Sequence, residues 1–368
     1  MDRQDPIPAA PRFHPLTVAA VERATADAIA VRFAVPEHLR DDYRFIQGQF
    51  LTLRGQFGGE ELRRSYSICC AVSDFAARGE LAVGIKAIPG GRFSAWANTH
   101  LKPGDTVEVM TPDGRFHTRL DPAHGKHYVA FAGGSGITPV LSLVKTTLEV
   151  EPESRFTLVY GNRNIASIMF GEDLEELKNR HLGRFAMIHV LSDEPQEVAL
   201  FNGLLNAEKC TQLLDTLIPP GGIDEAFICG PAPMMDAAEA ALAAAGVARE
   251  KIHVERFGTP LPQAGAKAQP VAGAPSAEVD VISGGTTRRI AVPYEGGGVL
   301  ETALAAGLDL PYACRAGVCC TCRARVLEGA VRMDRNYTLT EHEIAQGFVL
   351  TCQSHPVSAR VVVSYDER

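Results

Sequence analysis

Cys314, Cys319 and Cys322 stand in a C-x4-C-x2-C spacing within PYACRAGVCCTC, and Cys352 follows about thirty residues later in FVLTCQSHP. Thiolates at this spacing suit a [2Fe–2S] cluster: a tight loop supplies three sulfurs and a distant segment closes the cage with the fourth. Gly317 gives that loop a residue without a Cβ, so the backbone can turn and aim N–H groups at the sulfurs. A zinc site would show a second C-x2-C pair or nearby histidines, and Cys352 stands alone. Cys320 breaks the spacing and reads as a non-ligand beside the cluster; a set using Cys320 in place of Cys319 is the alternative. Cys69, Cys70 and Cys210 lack such context and read as core or surface thiols.

A [2Fe–2S] centre handles one electron at a time, so another part of the chain must supply single electrons. RRSYS carries Arg64, Tyr66 and Ser67, and a period of two sends Arg64 and Tyr66 to one face of a strand. That pairs a cation for a phosphate with a flat phenol for a flat ring system. KAIPGGRFSAW carries Lys86, Gly91, Arg92, Phe93 and Ser94, a glycine turn entering a helix. The free N–H groups and dipole of such a helix start suit a pyrophosphate, and Ser94 adds a hydroxyl.

A third group of residues follows the pattern of a dinucleotide site. HYVAFAGGSGITPV is an apolar strand, a loop with Gly134 and Gly136, and a helix entered at Thr138. Pro139 takes the place of the last glycine of G-x-G-x-x-G, so the loop alone is a weak signal. In CGPAPMM, Cys229, Gly230 and Pro231 end a further strand. HVERFG, with Glu255 and Phe257, ends this alternating region. Arg163, after the strand in YGNR, is placed for a 2′-phosphate, with Arg184 as a second cation. None of the eleven histidines has metal-ligand spacing.

Distinct elements must carry these groups. Up to residue 120 the chain alternates like short strands punctuated by KPGD and PDG, which predicts an antiparallel β-barrel. From 121 to 258 strands alternate with helices, which predicts an α/β domain with a parallel sheet. Residues 259–275 are rich in Pro, Ala and Gly and read as a linker. Residues 276–368 read as strand, turn, strand, then a short helix before the cysteines. The net charge of −8 argues against nucleic acid or an anionic membrane as partner. No apolar run is long enough to span a bilayer, and the start MDRQDPIPAAPRFHPL has no export signal, so a cytoplasmic chain with reduced thiols is expected.

The region from Ser276 resembles the β-grasp (α+β) domain of plant-type [2Fe–2S] ferredoxins. It departs from that family at Ala313, where a hydroxyl residue is common, and at Cys320, where Gly, Ser or Thr is usual. Both would tune a reduction potential through hydrogen bonds near sulfur. RRSYS with GGRFS, GGSGITP and CGPAPMM are similar to the flavin and nucleotide signatures of the ferredoxin–NADP⁺ reductase superfamily. Nearly the whole chain resembles reductase components of multicomponent oxygenases. Within them it resembles the reductase subunits of ring-epoxidising phenylacetyl-CoA systems, on RRSYSICC, KAIPGGRFSAWAN, YGNRN, PYACRAGVCCTCRARVLEG and NYTLTEHEIAQGFVLTCQSHP.

The resemblance implies hydride transfer from NADPH to FAD and single-electron transfer through the cluster to a di-iron oxygenase acting on phenylacetyl-CoA. Thr138, Cys229 and Glu255 would serve catalysis; Arg64, Tyr66, Ser67, Lys86, Gly91 to Ser94 and Phe257 the flavin. Gly134, Gly136, Thr138, Arg163 and Cys229 to Pro231 would serve the nucleotide, and Cys314, Cys319, Cys322 and Cys352 the iron. FMN and NADH are the alternatives, since phthalate-type reductases share the domain order with FMN. An NADH-dependent reductase of another Rieske-type or di-iron oxygenase is the rival reading. A cluster-based sensor would need a DNA-binding or signalling module, and none is visible. Residues 276–368 hold eleven acidic and nine basic side chains, which predicts weak salt dependence of electron delivery.

Overall fold

The structure is a computed structural model that describes residues 11–257 and 275–367. The expected linker, 259–275, lies outside the described residues but for Pro275, as does most of the N-terminal segment on which the export reading rests. Contacts divide the chain into two units, one spanning His14–Leu62 and Tyr66–Arg256, the other holding the C-terminal region.

The first part of the larger unit is a six-stranded antiparallel sheet. Its strands are β1 (Phe13–Thr25), β2 (Ala28–Ala34), β3 (Phe50–Phe57), β4 (Glu60–Ser67), β5 (Glu80–Lys86) and β6 (Thr106–Met110), in the order β4-β3-β6-β1-β2-β5. A bridge between Ile68 and Val83 joins the two ends and closes the sheet into the expected barrel. Alternation explains the closure: in β2, Ile29, Val31 and Phe33 point inward to Leu53, Val83 and Val109 while their neighbours face out. Two helices decorate it, α1 (Val72–Arg78) and α2 (Arg92–His100).

The second part is a five-stranded parallel sheet: β7 (His127–Gly133), β8 (Arg155–Asn162), β9 (Phe185–Leu191), β10 (Glu225–Cys229) and β11 (Ile252–Glu255), ordered β11-β10-β7-β8-β9. The helices are α3 (Ile137–Val150), α4 (Gly171–Arg180), α5 (Ala207–Thr216) and α6 (Ala232–Ala244). Every residue of β7 is buried, as a central strand covered on both faces must be. Tyr128, Ala130 and Ala132 pack with α3 and α4, whereas Val129 and Phe131 pack with α5 and α6. The strand order reverses between β7 and β10, and a crevice for ligands opens at the carboxyl ends of strands at such a point. The barrel abuts this sheet: a Cβ on Gly84 of β5 would stand 2.5 Å from Thr138 Cγ2 and 3.1 Å from the Phe170 ring.

The C-terminal region is a mixed sheet of β12 (Ser276–Ser283), β13 (Thr286–Pro293), β14 (Arg323–Glu328), β16 (Phe348–Leu350) and β18 (Arg360–Ser364), ordered β13-β12-β18-β14-β16. Strands β12 and β18 are parallel, and helix α7 (Val299–Ala305) buries Val299, Leu300 and Ala303 in the core with Val279, Val361 and Val363. β15 (Val331–Met333) pairs with β17 (Ser354–Pro356), and α8 (Glu341–Ala345) precedes β16. This is the β-grasp arrangement. The cysteine loop lies between α7 and β14, and Cys352 follows β16.

Candidate redox site

The loop and the distant segment bring the four thiols together as two pairs. Cys314 and Cys319 hydrogen-bond to each other, as do Cys322 and Cys352. Around them the backbone turns N–H groups toward sulfur: Ala316 N donates to Cys314 Sγ at 3.3 Å and Cys314 N to Cys319 Sγ at 3.5 Å. The Cys319 thiol, and then the N–H groups of Ala316, Val318 and Cys319, pull the Cys314 thiol down to about 6. Among the described residues no three Cys, His, Asp or Glu side chains gather round one ion. Two pairs of thiols match two irons, two ligands each.

Thr321, which sequence reasoning passed over, is fully buried beside Cys319, whose thiolate its hydroxyl favours. It makes no other hydrogen bond among the described residues. A buried hydroxyl without a settled partner suits a site that gains acceptors when a cluster binds. Cys320, buried at φ 56°, donates its thiol to Thr338 Oγ1 at 2.9 Å. Gln353, also missed, reaches Cys352 Sγ at 3.6 Å and the Arg315 carbonyl at 3.0 Å.

On the barrel, Arg64 is exposed, with its guanidinium on the Arg63 carbonyl at 2.7 Å. Tyr66 is half-buried, its ring 5.9 Å from that of Phe93. Phe93 itself is in the barrel core against Phe57 and Trp96, so it has only backbone to offer a ligand. Gly91 caps α2, and Ser94 Oγ accepts from Ile88 N at 3.3 Å. Arg92 pairs with Glu60 at 2.6 Å and donates to the Phe57 carbonyl, which ties α2 to the β3–β4 hairpin. The first turn of α2 thus carries free N–H groups and no acidic residue, which fits a phosphate.

At the carboxyl edge of the parallel sheet, Cys229 and Glu255 end neighbouring strands in register. Ser67, at the end of β4, donates its hydroxyl to Glu255 Oε2 at 3.1 Å. Burial pushes the Glu255 carboxyl up to about 8, with Ser67 pulling the other way. Burial and then Glu255 push the Cys229 thiol well up. The structure therefore joins one residue of the barrel to two of the sheet at the crevice. A Cβ on Gly136 would stand 2.0 Å from the Cys229 carbonyl oxygen, so only glycine lets the β7–α3 loop close onto the β10 end. Gly134 has φ 51°, and Pro231 opens α6. Thr138 is 2% exposed and its hydroxyl donates to the Ser135 carbonyl at 3.0 Å, so it acts within the loop. Phe257 is exposed and is not gathered into this group.

Lys86 and Arg163 are linked by a residue the sequence did not single out. Asp27, in the β1–β2 turn, stands 3.6 Å from Lys86 and 3.7 Å from Arg163. Arg163 is exposed at the carboxyl end of β8, and its carbonyl accepts from Asp193 N at 2.8 Å, which brings the acidic Asp193–Glu194 pair beside it. Arg184 corrects an expectation. It precedes β9 at the opposite edge of the sheet, and its guanidinium caps the Leu148, Glu151 and Ser154 carbonyls at the end of α3. It cannot assist Arg163 with a phosphate.

Three family models match the chain: an oxidoreductase FAD-binding domain over residues 15–118, an oxidoreductase NAD-binding domain over 131–240 and a 2Fe-2S iron-sulfur cluster binding domain over 281–357. The chain is 46% identical to one component of the 1,2-phenylacetyl-CoA epoxidase of Escherichia coli (strain K12), over 97% of this chain and 98% of that one. It is 34% identical to the ferredoxin reductase component of 3-ketosteroid-9-alpha-monooxygenase from Rhodococcus rhodochrous, over 95% and 96% of the two chains. Among solved structures, phthalate dioxygenase reductase shares the fold with a TM-score of 0.57 at 22% identity, covering 96% of this chain and 98% of that one.

Proposed function

Because the chain belongs to the family of flavin- and [2Fe–2S]-containing reductase components of multicomponent oxygenases, we propose that it carries electrons from NADPH to a di-iron oxygenase that epoxidises phenylacetyl-CoA. It is an NAD(P)H-dependent oxidoreductase with FAD- and [2Fe–2S]-binding domains and an oxygenase as partner. The end-to-end similarity to the E. coli epoxidase component carries the choice of client. Among the described residues no helix is long and apolar enough to cross a membrane; the proposed setting is the cytoplasm, where thiols stay reduced.

When bound, FAD takes hydride from the nicotinamide and the cluster carries single electrons onward. The chain supplies position. Cys314 and Cys319 would hold one iron, Cys322 and Cys352 the other, with the loop N–H groups stabilising the sulfurs. The α2 start, with Gly91 and Ser94, would receive the FAD pyrophosphate, and Arg64 and Tyr66 the adjoining phosphate and ring. Gly134, Gly136, Gly230 and Pro231 would seat the nicotinamide half of the nucleotide, and Arg163 the 2′-phosphate of its adenosine half, with Asp27 holding Arg163 and Lys86 near the crevice. Burial raises the Glu255 carboxyl to about 8, which favours its protonated form at neutral pH beside Cys229 and would keep a buried negative charge away from the flavin site. Ser67 fixes that carboxyl from the barrel side.

The test mixes the protein with a purified di-iron phenylacetyl-CoA oxygenase, NADPH and phenylacetyl-CoA in air. Loss of thioester near one for one with NADPH supports the reading. NADPH consumption without substrate loss would leave a reductase of a different oxygenase. NADH is the second reading, favoured by Asp193 and Glu194 beside Arg163, since a carboxylate there can accept from a free ribose diol. The ratio of kcat/KM for the two nucleotides decides between them.

A further inference from the structure

The mouth of the cluster loop carries charge of the sign opposite to its domain. Arg315 follows the first cysteine and is exposed, with its backbone in the left-handed region at φ 53°. That conformation costs a non-glycine residue about 1 kcal/mol, and Gln353 holds it through the Arg315 carbonyl at 3.0 Å. The guanidinium lies 4.4 Å from the centre of the Tyr312 ring. Residues 335–337 cross the same loop: Tyr337 N donates to the Gly317 carbonyl at 3.1 Å, and the Arg335 carbonyl stands 3.1 Å from where a Gly317 Cβ would be. Tyr337 leaves 48% of its surface in water.

Neighbouring arginines are neutralised, Arg323 by Glu343 at 3.2 Å and Arg332 by Asp334. Arg315 and Arg335 have no carboxylate within ion-pair distance among the described residues, whereas the exposed guanidiniums of Arg289 and Arg360 share Asp280. With eleven acidic and nine basic side chains over 276–368, the domain as a whole is slightly negative.

We propose that Arg315, Arg335 and Tyr337 form the surface on which the electron acceptor docks, and that the acceptor meets it with a carboxylate-rich patch. The inference rests on the reading of the chain as a reductase serving a separate protein. Guanidinium forks pair with carboxylates in defined geometry, and an exposed aromatic such as Tyr337 supplies apolar contact. Such pairs steer encounter and fix orientation more than they add affinity. Each transfer oxidises the cluster by one electron and reduces the acceptor by one; no bond is made or broken.

The experiment uses the full-length, flavin- and cluster-loaded protein, reduced with NADPH under nitrogen. Re-oxidation of the cluster is followed by stopped flow on mixing with acidic cytochrome b5 or basic cytochrome c. The expected result, against the weak salt dependence that the near-neutral sum of the domain predicts, is that R315E/R335E slows delivery to cytochrome b5 about tenfold at low salt, abolishes its salt dependence and speeds delivery to cytochrome c. R315Q/R335Q falls between, and serves if charge reversal impairs cluster loading. The cluster EPR signal and NADPH-to-flavin rate stay unchanged. Equal rates to cytochrome b5 in wild type and variants, with one salt slope, would overturn the proposal. The phenylacetyl-CoA oxygenase is then tested alongside. A KM for it raised about fivefold in R315E/R335E supports the docking surface, and an unchanged KM overturns it. A wild type that discriminates the cytochromes but drives no epoxidation keeps the surface and removes the epoxidase as client.

Discussion

Ser67, at the end of a barrel strand, hydrogen-bonds Glu255, at the end of the last strand of the parallel sheet, at 3.1 Å across 188 residues of chain. This contact ties the flavin half to the nucleotide half at the crevice. Ser67→Ala and Glu255→Ala should each slow NADPH-to-flavin transfer, on the order of tenfold to a hundredfold, as expected when a group that orients an active site is lost. Stopped-flow flavin reduction measures this, and an unchanged rate would assign the contact to structure alone.

The same carboxyl should leave a mark on stability. Glu255 has a folded pKa raised to about 8, against an ordinary 4.5. Its contribution is present below about pH 4.5, where it is protonated in both states, and is lost as pH rises to about 8, because unfolding then releases a proton. Glu255→Gln removes this slope. The variant's Tm should gain on wild type between pH 5 and 8, and parallel Tm profiles would contradict the shift.

Two glycines of the β7–α3 loop should differ. Gly136→Ala puts a Cβ 2.0 Å from the Cys229 carbonyl oxygen, and backbone must move. Overpacking of this kind costs about 1–3 kcal/mol, and NADPH binding should weaken with it. Gly134→Ala meets nothing within 4 Å but holds φ 51°; it should cost about 1 kcal/mol. Denaturant titration with NADPH binding separates them.

Cys319→Ser should lose the cluster, whereas Cys320→Ser should keep it, because a serine hydroxyl can still donate to Thr338. Iron content and the EPR spectrum decide. A Cys320→Ser protein without iron would make Cys320 the ligand.

Arg163→Ala should raise the KM for NADPH at least fivefold, the scale of a lost charge-assisted hydrogen bond. Arg184→Ala should leave that KM alone and lower Tm, because Arg184 caps three carbonyls at the end of α3. Equal effects on KM would mean that Arg184 reaches the nucleotide after all.

Local spacing made much of this protein legible in its sequence. The cysteine set, the glycine loops and the change from period two to alternating strands and helices depend on neighbours along the chain, and neighbours are what a sequence displays. The barrel and the parallel sheet followed from them, and the β-grasp fold from the resemblance to plant-type ferredoxins. Tertiary structure decided which distant groups meet. Asp27 bridging Lys86 and Arg163, Glu255 receiving Ser67, and Thr321 buried beside Cys319 have no motif, because closure of the barrel and strand order bring them together. Arg163 and Arg184 look alike as residues near strands, yet a parallel sheet has two ends, and they stand at opposite ones. Charge divides the same way. The near-neutral sum over 276–368 is a property of composition, while the positive mouth at Arg315 and Arg335 exists only because residues 335–337 fold across Gly317.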